Sequence, residues 1–151
     1  MIRLSGLGHI LLRVLDLERS KKFYSDVLGF KVLEEDPEHG GTFMALPGQS
    51  HAIDLFQVKD LEAAQRQTPG VRGLGHIAFR VDSEAALKDA YADLRAHGVE
   101  ISRTIDHVSQ KSIYFADPDG NTLEIYYELP EALELFARGR EDRDVPLALD
   151  R

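Results

Sequence analysis

Residues 8–14 are apolar and rich in branched side chains except at His9 and Arg13, the pattern of a buried strand. Asp16, a helix-capping type, follows. Ser20, Phe23, Tyr24, Val27 and Leu28 then recur at helical spacing on one face, and Gly29 ends the run. Three strand-length segments come next, 30–34, 42–46 and 52–58, divided by Pro37, Gly40, Gly41 and Pro47-Gly48. The same alternation of periods then returns. Asp82 or Ser83 caps a helix with Leu87, Ala90, Tyr91 and Leu94 on its apolar face, closed by His97-Gly98. Strands are predicted over 99–104, 112–116 and 122–128. A short helix near 130–137 and a charged tail, 138–151, complete the pattern, with the tail expected to be mobile.

The recurrence is a sequence repeat. Leu7-Gly8-His9-Ile10-Leu11-Leu12-Arg13-Val14 returns as Leu74-Gly75-His76-Ile77-Ala78-Phe79-Arg80-Val81, with six of the eight positions identical. Tyr24 and Asp26 are echoed by Tyr91 and Asp93. Ala52-Ile53-Asp54-Leu55-Phe56 is echoed by Thr122-Leu123-Glu124-Ile125-Tyr126. Two copies indicate a duplicated module rather than a solenoid. The expected fold is α+β: two tandem βαβββ modules, 5–58 and 74–128, joined by a linker over 59–73. Together they form a single domain over 1–129, followed by a C-terminal helix and tail over 130–151.

Composition narrows the ligand. Asp and Glu total 26 against 18 Lys and Arg, a formal net charge of −8, which argues against a phosphate-backbone partner. No cysteine is present, so disulfides, thiolate zinc sites, iron–sulfur clusters and thiol nucleophiles are excluded. No window is apolar enough for a membrane span, and residues 1–6 lack the apolar run of a signal peptide. The expectation is a cytoplasmic domain with a small ligand, no nucleic acid and no membrane.

A histidine repeated at the start of a buried strand needs a partner. If a pseudo-two-fold relates the modules, His9 and His76 converge, and two imidazoles in a pocket point to a metal. Residues 113–125 read as a hairpin around Pro118-Asp119-Gly120-Asn121. Centring it on Asp119 sets Ala116 opposite Thr122 and Tyr114 opposite Glu124, on one face of the sheet. Glu124 lies among Leu123, Ile125 and Tyr126, and a carboxylate buried there is costly unless compensated. His9, His76 and Glu124 are therefore the candidate ligands. Two histidines and one carboxylate form the facial set of a non-haem Fe(II) site.

From Leu7 to Glu128 the chain resembles the vicinal oxygen chelate superfamily, which includes glyoxalase I, fosfomycin and bleomycin resistance proteins and extradiol dioxygenases. The resemblance is carried by the paired modules, the first-strand histidine of each, and the ending Asp117-Pro118-Asp119-Gly120-Asn121-Thr122-Leu123-Glu124. It implies a divalent metal held in a cup of mixed sheet formed by the two modules. Single-domain extradiol ring-cleavage dioxygenases are the nearest subgroup. They also carry a histidine opening the fourth strand, matched by His51, and a histidine and a tyrosine before the last hairpin, matched by His107 and Tyr114. The implied activity is cleavage of a catechol-like ring with O2. Tyr114 would be a base, His107 an acid or base, and His51 a hydrogen-bond donor and later a proton donor. Fe(II) is the metal expected, with Mn(II), Zn and Ni as alternatives. A homodimer is the expected assembly. The alternatives are a glyoxalase-I-like isomerase or lyase, and a non-catalytic small-molecule-binding resistance protein of the same fold.

Asp54 departs from the simplest pattern. By the repeat it is the counterpart of Glu124, one methylene shorter. It either supports a ligand histidine, the preferred reading, or is a fourth ligand. His51 and Asp54 are three apart and face opposite sides of a regular strand, so His51 joins the site only if the strand begins after it or bulges. His39 is assigned to a solvated loop, His97 to a helix end, Arg13 and Arg80 to partnering buried carboxylates, 59–67 to a surface helix or lid, and 141–144 to a solvated cluster.

Overall fold

The two Leu-Gly-His-Ile stretches lead into equivalent parallel strand pairs in the computed structural model, which describes residues 2–3, 6–49, 51–60, 73–139 and 144–149. The chain divides into two units, Met1–Arg66 and Gln67–Arg151. The expected linker and surface helix fall largely on 61–72, outside the described residues, as do Glu141, Asp142 and Arg143.

In the first unit the elements are β1 (Ile10–Val14), α1 (Leu17–Asp26), β2 (Lys31–Asp36), β3 (Gly41–Ala45) and β4 (Ile53–Gln57). They form a four-stranded sheet in the order β1-β4-β3-β2, with β1 and β4 parallel and the other pairs antiparallel. Asp16 caps α1 by accepting from Arg19 N at 3.0 Å. Gly29 follows the helix at φ 75°, a left-handed turn that favours glycine. Tyr24 and Ser20 are buried on the helix, as are Val14, Met44, Ile53 and Leu55 on the strands.

The second unit repeats the order with β5 (Ile77–Val81), α2 (Glu84–Ala96), β6 (Ile101–Asp106), β7 (Gln110–Ala116) and β8 (Thr122–Glu128). Ser83, rather than Asp82, caps α2, accepting from Ala86 N at 3.0 Å. The sheet order is β5-β8-β7-β6, with β5 and β8 parallel. Tyr114 pairs with Glu124 and Ala116 with Thr122, as the centring on Asp119 predicts. The Asp117 carboxylate locks that turn by accepting from Asp119 N, Asn121 N and Asn121 Nδ2, each at 2.9 Å. This is the α+β architecture of two mixed-sheet modules.

Two expectations are corrected. The strand after His9 is buried on one face only: Leu12 and Val14 are covered, whereas Leu11 and Arg13 on the alternate face are exposed. The tail, expected to be mobile, contributes a strand. After α3 (Ala132–Ala137), β9 (Val145–Pro146) pairs antiparallel with β6, and Leu149 is buried. Among the described residues, no helix is long and apolar enough to cross a membrane.

Candidate functional site

Strand pairing places Asp54 in the first sheet and Tyr114 opposite Glu124 in the second, while the candidate histidines lie just outside the strands. In the first unit His9 immediately precedes β1. Leu11 pairs with Asp54, and Phe43 pairs with Asp54 from the other side. His9 Nε2 lies 3.5 Å from Asp54 Oδ2. β4 begins at Ile53, after His51, so His51 escapes the alternation and turns to the same face. Its Nε2 is 3.8 Å from Asp54 Oδ1, beyond hydrogen-bond reach, and its ring centroid is 4.5 Å from that of His9. His9, His51 and Asp54 each offer a donor atom within 4.8 Å of the others. Asp54 is 3% exposed, and its Oδ1 is buried without a hydrogen-bond partner. A buried acceptor left unpaired is costly, and a cation would relieve that cost.

The second unit builds the equivalent pair more tightly. His76 precedes β5, and its Nε2 lies 3.0 Å from Glu124 Oε2. Glu124, 2% exposed, also accepts from Gln110 Nε2 at 2.9 Å through Oε1. The extra methylene of Glu124 gives a closer contact than Asp54 achieves with His9. In both pairs the carboxylate forms a buried floor and the histidine a half-exposed rim.

Tyr114 stands beside Glu124 on this face, with its ring edge-on to His76 at a centroid distance of 5.9 Å. Its hydroxyl is 3.0 Å from His107 Nε2, and the Arg103 guanidinium lies 4.3 Å over its ring. Burial, and then the neighbouring Glu124 carboxylate, push the Tyr114 phenol above its ordinary value of 10.0. Tyr114 therefore keeps its proton at neutral pH, with its hydroxyl within hydrogen-bond reach of both Glu124 and His107 Nε2. His107 Nδ1 in turn lies 2.6 Å from Asp144 Oδ1. In the first unit Phe43 occupies the place of Tyr114, so the phenol hydroxyl has no counterpart at that position.

The other histidines and the two arginines stay apart from these groups. His39 Nδ1 pairs with Asp36 at 2.8 Å in an exposed turn, and His97 Nδ1 donates to Asp93 O at 2.8 Å. Arg80 meets Glu128 at 3.2 Å, a pair open to solvent rather than a buried carboxylate. Arg13 lies over the Phe56 ring at 5.5 Å and serves no carboxylate in that contact. Sequence reasoning missed Gln110, Arg103 and Asp144. Gln110 was reachable by strand parity, since 110, 112 and 114 share a face. Asp144 carries no local signal.

The family model for the Glyoxalase/Bleomycin resistance protein/Dioxygenase superfamily matches residues 6–125. The chain belongs to this superfamily. Among relatives, this superfamily member is 32% identical over 138 residues to biphenyl-2,3-diol 1,2-dioxygenase 3 of Rhodococcus globerulus, covering 89% of this chain and 71% of the relative. It is 38% identical over 125 residues to lactoylglutathione lyase of Haemophilus influenzae, covering 77% and 87%. The crystal structure of a glyoxylase/bleomycin resistance protein/dioxygenase domain from Frankia sp. EAN1pec is similar with a TM-score of 0.74 at 26% identity, covering 85% of this chain and 95% of that one. The superfamily holds many metalloenzymes, dioxygenases and lyases among them.

Proposed function

We propose that this superfamily member is a non-haem Fe(II)-dependent extradiol-type dioxygenase that opens a catechol-like ring with O2. The observation carrying the reading is the 3.0 Å hydrogen bond between Tyr114 and His107, set beside buried Glu124. Deprotonating an aromatic diol needs an acid–base group beside the carboxylate, and this pair supplies one.

His9, His76 and Glu124 would hold the metal, with Asp54 supporting His9. The donor set fits: two imidazoles and a carboxylate, without thiolate, suit Fe(II) and leave positions open for two reactants. The buried carboxylates facing imidazoles at 3.0 and 3.5 Å fit a cation as well. When bound, Fe(II) would supply Lewis acidity to the diol and redox capacity toward O2.

The chain's own groups do the rest. Tyr114 passes its proton to His107 Nε2 as it accepts one from a diol hydroxyl, so a phenol of raised pKa acts as a base through its partner. His51 presents a ring nitrogen on the face shared with His9. There it would donate a hydrogen bond to the second reactant and later give a proton to the opened product, regaining one from solvent as His107 releases the one it took. The partners proposed with this reading are a small aromatic diol, O2 and a second copy of the chain in a homodimer.

The test is anaerobic reconstitution with Fe(II), then a panel of catechols admitted to air. Oxygen uptake and yellow ring-cleavage products are expected. No uptake with any catechol, together with turnover of a hemithioacetal, would overturn the reading. One observation favours that second, glyoxalase-like reading: the unpartnered Asp54 Oδ1, which as a fourth donor would close an open position.

A further inference from the structure

We propose that Asp144 is a positioning residue for His107, so that the tail completes a relay Asp144–His107–Tyr114. Its part in proton transfer rests on the ring-cleavage reading; its part in setting the tautomer of His107 does not.

Both ends of the Asp144–His107 contact are fixed independently. His107 sits on the turn between β6 and β7, where its own N donates to Gln110 O at 2.8 Å and Asp106 Oδ1 accepts from Val108 N at 2.9 Å. Val108 is the one described non-glycine residue with positive φ, at 71°. A β-branched residue rarely adopts that conformation, and it persists only where its surroundings over-determine it. Asp144 immediately precedes β9. Asp106 pairs with Val145 and Ile105 with Pro146, Thr104 Oγ1 donates to Leu147 O at 2.7 Å, and Leu147 N donates to Thr104 O at 3.1 Å.

The chemistry follows from the two ring nitrogens. A carboxylate 2.6 Å from Nδ1 accepts a proton there and leaves Nε2 as the acceptor. Nε2 faces the Tyr114 hydroxyl at 3.0 Å, which is where the acceptor is needed. The bland alternative is a surface ion pair, since the Asp144 side chain is 49% exposed. An exposed pair contributes little to stability. A positioning role therefore separates from a structural one: losing the carboxylate should leave the melting temperature nearly unchanged and reorient the imidazole.

The experiment uses the full chain, without added metal, as wild type, Asp144→Ala and Asp144→Glu. Long-range proton–nitrogen NMR of the neutral imidazoles reads the His107 tautomer. The wild type should carry its proton on Nδ1. Asp144→Ala should lose that preference with melting shifted by less than about 3 °C, and Asp144→Glu should restore it. An Nε2-protonated wild type, or an unchanged tautomer in Asp144→Ala, overturns the proposal. With Fe(II) and a turned-over catechol, Asp144→Ala should lose about tenfold in kcat with KM within twofold; equal kcat also overturns it. Absence of ring cleavage in the wild type defeats the proposed function instead, and the NMR result then decides the role of Asp144 by itself.

Discussion

His76 Nε2, one residue ahead of β5, and Glu124 Oε2, on the parallel neighbour β8, stand 3.0 Å apart, one half-exposed and the other sealed in the sheet. In the proposed function these two groups are two of the three metal ligands. His76→Ala or Glu124→Ala should each lower Fe(II) affinity by more than about 100-fold, beyond the 10–100-fold typical of supporting partners. Metal titration under argon measures this, and undiminished affinity in either variant removes that residue from the set.

Asp54 is expected to behave differently. Its contact with His9 is longer, 3.5 Å, and the proposed function has it support that ring. Asp54→Asn should weaken metal binding by about 10–100-fold and keep measurable ring cleavage. A loss as large as that of Glu124→Ala would instead make it a fourth donor and favour isomerase chemistry.

Tyr114→Phe should retain metal and fold while kcat falls by about 10²–10⁴, the usual scale of a lost acid–base group. It should also change the alkaline limb of stability. The folded chain holds the Tyr114 proton more tightly than the unfolded chain, so stability is fully present below about pH 10 and declines as pH rises toward the raised folded value. Denaturant titrations above pH 10 should show that decline in the wild type and less of it in the variant. Parallel curves would contradict the raised phenol.

Val108→Gly should stabilise the chain. A β-branched residue at φ 71° costs roughly 1–3 kcal/mol, part of which glycine returns as chain entropy on unfolding. The expected net gain is about 1 kcal/mol, or roughly 2–4 °C in Tm for a chain of this size. A lower Tm would show that Val108 is held by packing that outweighs its backbone conformation.

Much of the architecture was legible because duplication writes it twice. The Leu-Gly-His-Ile repeat marks both parallel strands. The hairpin symmetry about Asp119 places Tyr114 across from Glu124, since a two-fold turn leaves a single register. The capping residue Asp16 was readable from local chemistry alone. What escaped depends on contacts distant in sequence. Asp144 reaches His107 across 37 residues only because β9 docks on the edge of β6, and a two-residue strand has no periodicity to detect. The exposed face of β1 was missed because Leu11 is apolar, and composition does not say which side of a strand is covered. The place of His51 turned on where β4 starts, and boundaries are the part of an element that pattern fixes least.

His9 and His76 both sit one residue ahead of the first ladder position of their strands. Donor identity at these two places is thereby uncoupled from the integrity of the sheets. On the proposed function, a point substitution there would change what the chain can grip while the scaffold keeps its shape. A protein built in this way can be retooled for a different ion, and hence a different reaction, without first being redesigned to fold.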